Sequence, residues 1–459
     1  MSFLSIYSHT PVFVQNGLCS AAGYCINRKR FGGEYSAIDA AVSRRGCLSR
    51  DEVAAFRDER IAAFVRHTQE STPYYRKLFR DVGIGPGEIR DLDDLRKIPI
   101  VRKDVVQQNP DEFRSRDYDV RKCLRVHTSG TTGAGLVFWT TREAHQEQWA
   151  TWWRYRRDHG IVRGTWCGYF GGRSVVPVYQ EKPPFWRVNY AERQVMFSAY
   201  HMAPDNLEAY VEELARRQLP WLHGYPSSLA LIANKVLTLR SGLGYRPIWV
   251  TVGAENLTES QSEEIAAAFG VKPVQHYGMA EAVANFSECT NGCLHVDEDF
   301  SAVEFVWDAQ RHVHRIVGTN LSNPAYPLIR YDAGDLARVA TVQCDCGNPG
   351  RTVESLDGRA EDYLELVDGA KVGRLDHIFK DMVHIREAQF LQAVPGKAKV
   401  RVVPGEHFSD ADAVQLQREL GVRFGKRCEI AIEYVSALPR TASGKLRFVV
   451  REQGGCSGA

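Results

Sequence analysis

Residues 128–135 read Thr128-Ser129-Gly130-Thr131-Thr132-Gly133-Ala134-Gly135, which places four hydroxyl side chains and three glycines in eight positions. The run follows a β-like stretch that ends at His127 and precedes the apolar residues 136–138. Glycine lets the backbone turn with its N–H groups exposed, and hydroxyl groups add further donors. The stretch therefore predicts a phosphate-binding loop between two strands, although a polar turn without a ligand has the same composition.

Around this loop the chain alternates between helical and β-rich segments. The helical segments have apolar residues three or four positions apart, and the β-rich runs between them are short. Such alternation is typical of an α/β chain with a mixed or parallel sheet. The helical segments are residues 50–79, 143–159, 206–217, 226–239 and 259–269, and the β-rich runs are residues 137–141, 247–252, 303–307 and 315–319.

The pattern changes after about residue 357, where a smaller unit begins. Its elements are strand-like runs at 363–367 and 399–403, a helix around 411–424 and a strand at 429–435. We therefore predict a large N-terminal domain over residues 1–357, with mixed or parallel sheets flanked by helices. A small α+β C-terminal domain is predicted over residues 358–459.

Composition and charge exclude several classes of protein. The 459 residues carry 58 Lys+Arg against 56 Asp+Glu, and this balance argues against DNA or an anionic membrane as the main partner. The first 25 residues lack the features of a secretory signal, and no apolar run approaches the roughly 20 residues of a membrane span. Eleven cysteines are too dilute for a disulfide framework. We expect a cytoplasmic protein that binds small molecules.

Other segments rich in polar residues are ambiguous when taken singly. The phosphate loop is not of the Walker type, because no lysine follows Gly133. Asp335, in the run Leu-Ile-Arg-Tyr-Asp-Ala-Gly-Asp, could accept hydrogen bonds from ribose hydroxyls, and Glu281 follows an aromatic-glycine pair. An ordinary solvent-exposed carboxylate after a turn would have the same sequence pattern. The remaining segments are the turn at 253–256, Gly-Arg-Ala-Glu-Asp at 358–362 and a Gly/Ser loop with one lysine at 439–447.

Taken in order, these motifs resemble the adenylate-forming acid ligases, the superfamily of acyl-CoA synthetases, peptide-synthetase adenylation domains and luciferases. The likeness is greatest to phenylacetate-CoA ligases and to capsule-biosynthesis relatives described as coenzyme F390 synthetase-like. It extends over nearly the whole chain. The segments that carry it are RVHTSGTTG at 125–133, HGYPSS at 223–228, HYGMAEAVANFSEC at 276–289, LIRYDAGDL at 328–336 and PRTASGK at 439–445, with STPYYRKLF at 71–79 and KIPIVRKDV at 97–105.

The resemblance implies a reaction in two steps. A carboxylate attacks the α-phosphate of ATP to give an acyl-adenylate and pyrophosphate, and an acceptor then displaces AMP. By the same resemblance Tyr277 flanks adenine, Asp335 binds the ribose hydroxyls, Arg359 lies near the ribose and α-phosphate, and Glu281 holds Mg²⁺. The other implied ATP-binding residues are Thr128, Ser129, Gly130, Thr131, Thr132, Gly133, Gly253, Ala254, Glu255, His276, Gly278 and Met279.

The small domain supplies the catalytic lysine in this scheme. Lys445 would place its charge where negative charge grows in the transition state, and it can act only when a mobile C-terminal domain closes. Glu361 would be the hinge residue. Three positions depart from the usual pattern: Ala134 stands where many relatives have lysine, Ala280 where a hydroxyl is usual, and Glu361 where aspartate is usual.

Two clusters of soft ligands suggest a metal. Cys289-x3-Cys293-x-His295 and Cys344-x-Cys346 provide four thiols and an imidazole, a set that suits tetrahedral zinc, although buried cysteines with a surface histidine would read alike. The resemblance implies that Cys289, His295, Cys344 and Cys346 bind a structural Zn²⁺, with Cys293 as a spare or replacement.

The acid pocket is assigned by the same resemblance. Its aromatic density favours an aryl acid, whereas aromatic residues at helical spacing are also typical of a core. Polar members such as Arg173 and His223 suit a hydroxylated or sugar acid instead. The assigned residues are Trp149, Trp153, Tyr169, Phe170, His223, Gly224 and Tyr225, together with Trp152 and Ala254 as further candidates.

The sequence thus predicts an ATP-dependent carboxylic acid ligase with a small-molecule acid as substrate. CoA is the favoured acceptor, and an amine is the alternative, which would make an amide for a capsule or natural product. A zinc-containing binding protein without catalysis is the remote alternative. Acidic residues near the cysteines, among them Asp297 and Asp345, argue against nucleic acid as its ligand. Relatives are often dimers, so a homodimer stays open.

Overall fold

The structure of the protein is a computed structural model that describes most of the chain. The predicted residues Ser129, Gly130, Thr131, Thr132 and Gly133 lie outside the described residues, as do Arg359, Glu361 and Lys445. The described residues are 7–128, 136–309, 312–357, 363–372, 375–379, 382, 384–405, 407–439 and 448–451.

Helices make up the N-terminal part. The predicted helix at 50–79 is two helices, because Thr72 leaves the helical conformation and Pro73 starts the next helix in its first position. Ser49 and Glu52 form a capping box at the start of the first of these. The helices are α1 Val12–Phe31, α2 Tyr35–Arg45, α3 Arg50–Ser71, α4 Pro73–Val82 and α5 Lys103–Gln108.

A twelve-stranded mixed sheet forms the centre of the molecule, in the order β11-β12-β13-β14-β10-β9-β8-β7-β6-β3-β5-β4. The strands β8, β7, β6, β3 and β5 are parallel, and the remaining neighbours pair in antiparallel fashion. These strands are β3 Cys167–Phe170, β4 Trp186–Asn189, β5 Gln194–Phe197, β6 Trp221–Gly224, β7 Trp249–Gly253, β8 Val274–Gly278, β9 Asn285–Glu288, β10 Leu294–Val296, β11 Ala302–Asp308, β12 Val313–Thr319, β13 Tyr331–Val339 and β14 Thr352–Asp357.

The two faces of the parallel strands are covered differently. On one face Leu214 and Ile232 belong to a core of buried residues that includes Phe170 and Leu222. On the other face Trp153 packs with Cys167 and Trp221 in a smaller core. The covering helices are α6 Arg142–Asp158, α7 Leu207–Arg217, α8 Pro226–Thr238 and α9 Glu259–Phe269.

The C-terminal part has its own four-stranded sheet, in the order β19-β18-β17-β20, and a core in which Leu416 and Phe424 lie with Phe390 and Val400. The predicted fold class is confirmed, whereas the boundary at 357/358 stays a prediction because residues 358–362 lie outside the described residues. The elements are β15 Leu364–Glu365, β16 Lys371–Val372, β17 Ile385–Val394, β18 Lys397–Pro404, α10 Asp410–Phe424, β19 Glu429–Tyr434 and β20 Val449–Arg451.

The small sheet's core also takes in two residues from the large part of the chain. Tyr200 and Ala203, in the connection after β5, are buried among its apolar residues. A guanidinium nitrogen of Arg427 donates a 2.6 Å hydrogen bond to the carbonyl of Tyr200. None of the helices that the structure describes is long and apolar enough to cross a membrane.

Candidate nucleotide, acid and metal sites

A short hairpin holds both ends of the predicted phosphate loop. Strands β1 Leu124–His127 and β2 Val137–Thr140 pair in antiparallel register, with His127 opposite Val137. The Thr128 N–H donates to the Leu136 carbonyl at 2.9 Å, and the Leu136 N–H donates to Thr128 Oγ1 at 2.8 Å. Thr128 is therefore buried as an anchor at the mouth of the loop.

The residues predicted to bind adenine and ribose lie together. The Tyr277 hydroxyl, at the end of β8, donates a 2.8 Å hydrogen bond to Oδ2 of Asp335 on β13. The Tyr277 ring is stacked on Phe286, with centroids 4.9 Å apart and planes at 24°. An aromatic ring beside a carboxylate can bind a nucleoside by stacking and by hydrogen bonds to vicinal hydroxyls.

Glu281 lies in the tight turn that follows β8 and is 5% exposed. The backbone of this turn is fixed on both sides: Gln148 Nε2 donates to the Met279 carbonyl at 2.9 Å, and Asn320 Nδ2 donates to the Glu281 carbonyl at 3.3 Å. Ala282, with φ of 58°, takes the left-handed conformation that the turn needs. The arrangement holds a carboxylate, the ligand type that hard cations such as Mg²⁺ prefer, close to Tyr331.

His276 belongs to a hydrogen-bonded group that the motifs did not reveal. Trp152 Nε1 donates to Asn285 Oδ1 at 2.8 Å, and His276 Nε2 lies 3.0 Å from the same oxygen. Because Asn285 Nδ2 donates to Asp297, its Oδ1 is the acceptor, so His276 carries its proton on Nε2. Burial and the charge of Arg156 lower the pKa of His276 to about 3, which keeps the ring neutral at pH 7.

The turn after β7 supports the same edge of the sheet. Gly253 lies opposite His276 in the parallel register, and a side chain there would come within 3.2 Å of the His276 carbonyl. Ala254 has φ of 65°. Glu255 Oε2 accepts a 2.7 Å hydrogen bond from Ser227 Oγ, which ties this turn to the start of α8. The Glu255 carboxylate therefore has a structural contact at a helix N-terminus.

The predicted acid-pocket residues divide between the two faces of the sheet. Tyr169 and His223 are opposite one another in the register of β3 and β6, and their rings lie 5.8 Å apart. His223 Nδ1 is 2.8 Å from Thr251 Oγ1. Burial, with the charge of Arg156, lowers the pKa of His223 to about 3. These side chains lie on the face that α6 covers.

Phe170, one position further along β3, belongs to the opposite face. Its ring stacks on Phe197 at 4.6 Å in the core beneath α7 and α8, where Gly224 packs against the Phe170 backbone. The Tyr225 N–H donates to the Phe170 carbonyl at 3.0 Å. Phe170 is thus a core residue rather than part of the α6-side group.

On α6 the three tryptophans also have different surroundings. Trp153 lies in the core with Cys167 and Trp221. Trp149 is half-buried, with the Arg30 guanidinium 3.8 Å above its ring and Trp152 at 4.8 Å in an edge-to-face contact. Trp152, which contacts the His276 group, is the member of the three that lies beside the nucleotide motif.

The four predicted zinc ligands come together from the end of β9, from β10 and from the loop that leads into β14. The ligand atoms of Cys289, His295, Cys344 and Cys346 all lie within 4.8 Å of one another. Cys289 Sγ is 3.9 Å from Cys344 Sγ, and Cys346 Sγ is 3.3 Å from His295 Nε2. A tetrahedral zinc with sulfur and nitrogen ligands requires edges of about 3.5–3.8 Å, so the donor set fits the metal.

The surroundings of the cluster also suit a metal site. His295 Nδ1 is 3.0 Å from the Gly350 carbonyl, which leaves Nε2 to face the sulfurs, and the Asn348 N–H donates to Cys346 Sγ at 3.4 Å. Burial raises the pKa of Cys344, but the Cys346 backbone and neighbouring side chains outweigh it and lower the value to about 6. Hydrogen bonding with Cys344, together with burial, raises the pKa of Cys293 to about 11. The Cys293 thiol is not one of the four ligand atoms that lie within 4.8 Å of one another.

A network of ion pairs with buried carboxylates lies next to the metal cluster, and no sequence motif predicted it. Arg154, on α6, pairs at 2.8 Å with both Asp297 and Asp299 in the segment after β10. Arg45 and Arg57 join from α2 and α3, the latter through a 2.9 Å contact to Glu298. The network fastens the N-terminal helices to the strands that carry the cysteines.

Comparison with known proteins agrees with this geometry. Residues 364–452 match the family model described as the CapK C-terminal domain. Protein CapK of Staphylococcus aureus is 24% identical over 453 residues, covering 97% of this chain and 98% of that protein. Phenylacetate-coenzyme A ligase of Thermus thermophilus is 24% identical over 468 residues, covering 88% of this chain and 97% of that protein.

The fold has a counterpart among solved structures. The crystal structure of 2-hydroxyisobutyryl-CoA ligase, in complex with 2-HIB-AMP and CoA in the thioesterification state, superposes with a TM-score of 0.55 at 19% identity, covering 90% of this chain and 92% of that one. The chain therefore has the fold of an adenylate-forming ligase and is similar along almost its whole length to CapK and to phenylacetate-CoA ligases, as its motifs predict.

Proposed function

We propose that the protein is an ATP-dependent carboxylic acid ligase that forms an acyl-adenylate and passes the acyl group to an acceptor. The observation that carries the proposal is the meeting of the Tyr277 hydroxyl with the Asp335 carboxylate at 2.8 Å. The turn that holds Glu281 continues from the same strand. An aromatic ring and two carboxylates therefore lie near the carboxyl end of β8, and this arrangement supports binding of a nucleoside triphosphate.

In this scheme each residue does a separate physical task. The Tyr277 ring stacks against adenine, Asp335 accepts hydrogen bonds from the ribose, and the loop that begins at Thr128 binds the outer phosphates. Glu281 holds Mg²⁺, which neutralises charge on the phosphates. Lys445 on the C-terminal domain stabilises the charge that develops during attack by the acid.

CoA is the acceptor we favour. The phenylacetate-coenzyme A ligases among the relatives are named for a CoA product, and the superposed ligase was crystallised with CoA. An amine acceptor is the second candidate, favoured by the match to CapK rather than to a CoA ligase over residues 364–452. The two acceptors give different products, a thioester or an amide.

The metal cluster is proposed to be a structural Zn²⁺ site. Four ligands would complete the coordination of a tetrahedral zinc and leave no position for a substrate, and they come from the end of β9, from β10 and from the loop before β14. Zinc there would stabilise the strands that follow the nucleotide motif. We also propose the division at 357/358, a hinge at Glu361 and a cytoplasmic location, with dimerisation still to be measured.

ATP-pyrophosphate exchange tests the function. The full-length protein is incubated with Mg²⁺, ATP and labelled pyrophosphate against a panel of aryl, amino and uronic acids without acceptor. Acid-dependent exchange that Lys445→Ala abolishes, and that the exposed control Lys426→Ala retains, supports the proposal. Exchange that persists in Lys445→Ala contradicts the role of that lysine, and no exchange with any acid, despite ATP binding, contradicts the function.

The acceptor is identified in a second experiment on the same protein. Each active acid is combined with ATP and either CoA or a panel of amines, and the products are separated by mass. A thioester identifies CoA, and an amide identifies the amine. If adenylate accumulates with neither acceptor, the transfer step needs a different nucleophile such as a carrier-protein thiol.

A further inference from the structure

Arg156 is a buried cation that forms no ion pair with any of the residues described by the structure. It lies near the end of α6, is 6% exposed, and its guanidinium carbon is 5.1, 5.3 and 5.6 Å from the rings of Trp153, Tyr155 and Trp221. Within the part of the chain that the structure describes, Arg156 Nε has no hydrogen-bond partner and no carboxylate forms an ion pair with it. Its neighbours are aromatic faces and the Tyr155 hydroxyl.

The part-buried Arg154 and the two buried residues Arg187 and Arg330 have acceptors for their charge. Arg154, two residues earlier on the same helix, pairs with two carboxylates at 2.8 Å. Arg330 pairs with Glu304 at 2.9 Å. Arg187, fully buried, donates to the side chains of Gln15 and Gln180 and to two backbone carbonyls. The fold supplies oxygen acceptors to these guanidinium groups and leaves Arg156 without a carboxylate.

Aromatic faces alone compensate a buried guanidinium poorly. A cation–π contact is weaker than a hydrogen-bonded ion pair, and a charge removed from water needs both a partner and hydrogen bonds. The planar fork of arginine matches a carboxylate or a phosphate, to which it donates two parallel hydrogen bonds. Binding of an anion would therefore neutralise the charge of the Arg156 guanidinium.

The surroundings of Arg156 are those of the predicted acid pocket. Two of the rings that it contacts lie against the predicted pocket residues: Tyr155 stacks on His276 at 4.9 Å, and Trp221 lies 5.7 Å from His223. The same side of α6 also has more positive than negative charge. Arg30 lies 2.9 Å from Glu192, and Arg173 lies 3.6 Å from that same carboxylate, so one acid serves two arginines.

The distance between Arg156 and the nucleotide motif limits the size of the ligand. Gln148 binds the Met279 carbonyl beside the Glu281 turn, and Arg156 follows eight residues later on the same helix. At 1.5 Å per residue the two positions are about 12 Å apart along the axis. A molecule whose carboxylate reacts near Met279 could place a second group beside Arg156 if one aromatic ring separated the two.

We propose that the acid which this protein activates carries a second anionic group, a carboxylate or a phosphate, and that Arg156 binds it at the inner end of the pocket. The inference rests on the proposed function and narrows its substrate to a dianionic acid. Arg156 is then a specificity-determining residue. An acid of the same shape without the second charge would leave the guanidinium unpaired in the complex and would be rejected.

Matched pairs of acids test this in the pyrophosphate-exchange assay. The pairs are para-carboxyphenylacetate with para-methylphenylacetate, para-phosphonophenylacetate with the same methyl compound, and adipate with hexanoate. Wild type should prefer the dianionic member by about 100-fold or more in kcat/KM. Arg156→Met should lose that preference, with little loss on the neutral member. The phosphonate arm distinguishes a phosphate ligand from a carboxylate.

A neighbouring residue gives the matched control. Arg157, the next residue on α6, pairs with Asp39 at 2.9 Å, and Arg157→Met should keep the preference of wild type. If Arg156→Met does not fold, Arg156→Lys should reduce kcat/KM for the dianionic acids alone. Equal use of both members of each pair by wild type, or an equal loss on both members in the Arg156 variant, overturns the inference and leaves the ligase function standing.

Calorimetry separates this inference from the proposed function. If no acid supports exchange, the ligase proposal fails, and binding of para-carboxyphenylacetate to the unmodified protein decides the role of Arg156. Binding at least about 10-fold tighter to wild type than to Arg156→Met supports an anion site. Absence of binding by all three dianionic acids overturns it.

Discussion

The Tyr277 hydroxyl donates a 2.8 Å hydrogen bond to Oδ2 of Asp335, which joins two motifs that are 58 residues apart in the chain. The contact bridges β8, at the parallel part of the sheet, and β13, in its antiparallel part. It fixes the orientation of the carboxylate, and stacking on Phe286 fixes the ring. The two side chains therefore hold each other in the orientation that the proposed nucleoside site requires.

Asp335→Ala should weaken ATP binding more than Tyr277→Phe does. The first change removes the acceptor of the ribose hydroxyls, and a hydrogen bond to a charged group contributes about 1.5–3 kcal/mol, so KM for ATP should rise about 10-fold or more. The second change keeps the ring and removes one hydrogen bond. ATP-pyrophosphate exchange at varied ATP concentration measures both.

Asp332→Ala is the control for this pair. Asp332 lies on the same strand but forms its ion pair with Arg315, so its loss should leave KM for ATP within about twofold. An equal effect of Asp332→Ala and Asp335→Ala would mean that disruption of β13, rather than loss of a ribose contact, is being measured.

The purified protein should contain one zinc ion per chain. Cys346→Ala should lose the metal and lower the melting temperature by several degrees, because the four ligand atoms within 4.8 Å of one another would be left as a cluster of three. Cys293→Ala should retain the metal, since its thiol lies outside the set of four. Elemental analysis and thermal scanning give both results, and retention of full zinc by Cys346→Ala would refute the assigned ligand set.

Gly224→Ala should destabilise the protein because its new methyl group meets backbone rather than a side chain that can move. A Cβ at Gly224 would lie 2.4 Å from the Phe170 carbonyl oxygen. Overpacking of this kind costs about 1–3 kcal/mol, which a shift in the denaturant midpoint would report. Gly421→Ala, on α10 with no atom within 4 Å of its Cβ, should stabilise by up to about 1 kcal/mol instead.

His201 should make the protein less stable in mild acid. Burial, with the charges of Arg427 and Arg187, lowers the pKa of His201 to about 3, whereas the unfolded chain has its usual value of about 6.5. Between these values the unfolded state binds the extra proton, so this contribution to stability is complete above pH 6.5 and is lost as pH falls. The loss from pH 6.5 to pH 5 amounts to about 2 kcal/mol.

The variant His201→Gln isolates that contribution. Its free energy of unfolding should fall less than that of wild type between pH 7 and pH 5, by about 2 kcal/mol. Between pH 7 and pH 8 the two proteins should change in parallel, because the histidine is neutral in both states there. Identical pH dependence below pH 6.5 would contradict the assignment.

Segments with strong periodicity were predictable from the sequence. Helix α9 occupies Glu259–Phe269, the predicted residues, and α6 occupies Arg142–Asp158 against a predicted 143–159. The five candidate donors of the metal cluster were predictable because few residue types suit zinc, and the resemblance to the ligase superfamily selected the four that the structure brings together. Comparison with relatives confirms the predicted class of ligase fold, while the site assignments remain predictions.

The sequence of helix α1 has no comparable apolar periodicity. The face that it packs on β4 uses polar groups: Asn16 Oδ1 accepts from the Val188 N–H, and Asn27 Nδ2 donates to the Ala191 carbonyl. Apolar periodicity therefore does not mark its buried side. The position of the predicted acid-pocket residues was not predictable for another reason. Tyr169 and Phe170 are adjacent in sequence but lie on opposite faces of a strand, and only the pairing of the strands decides which face meets α6.

The hairpin of β1 and β2 is closed independently of the predicted phosphate loop. Thr128 and Leu136 are fixed to each other by two hydrogen bonds, and the strands on either side pair through their own backbone. The closure uses one side-chain atom, Thr128 Oγ1, and otherwise backbone groups. The register of the two strands is therefore set by the strands themselves and by one threonine hydroxyl.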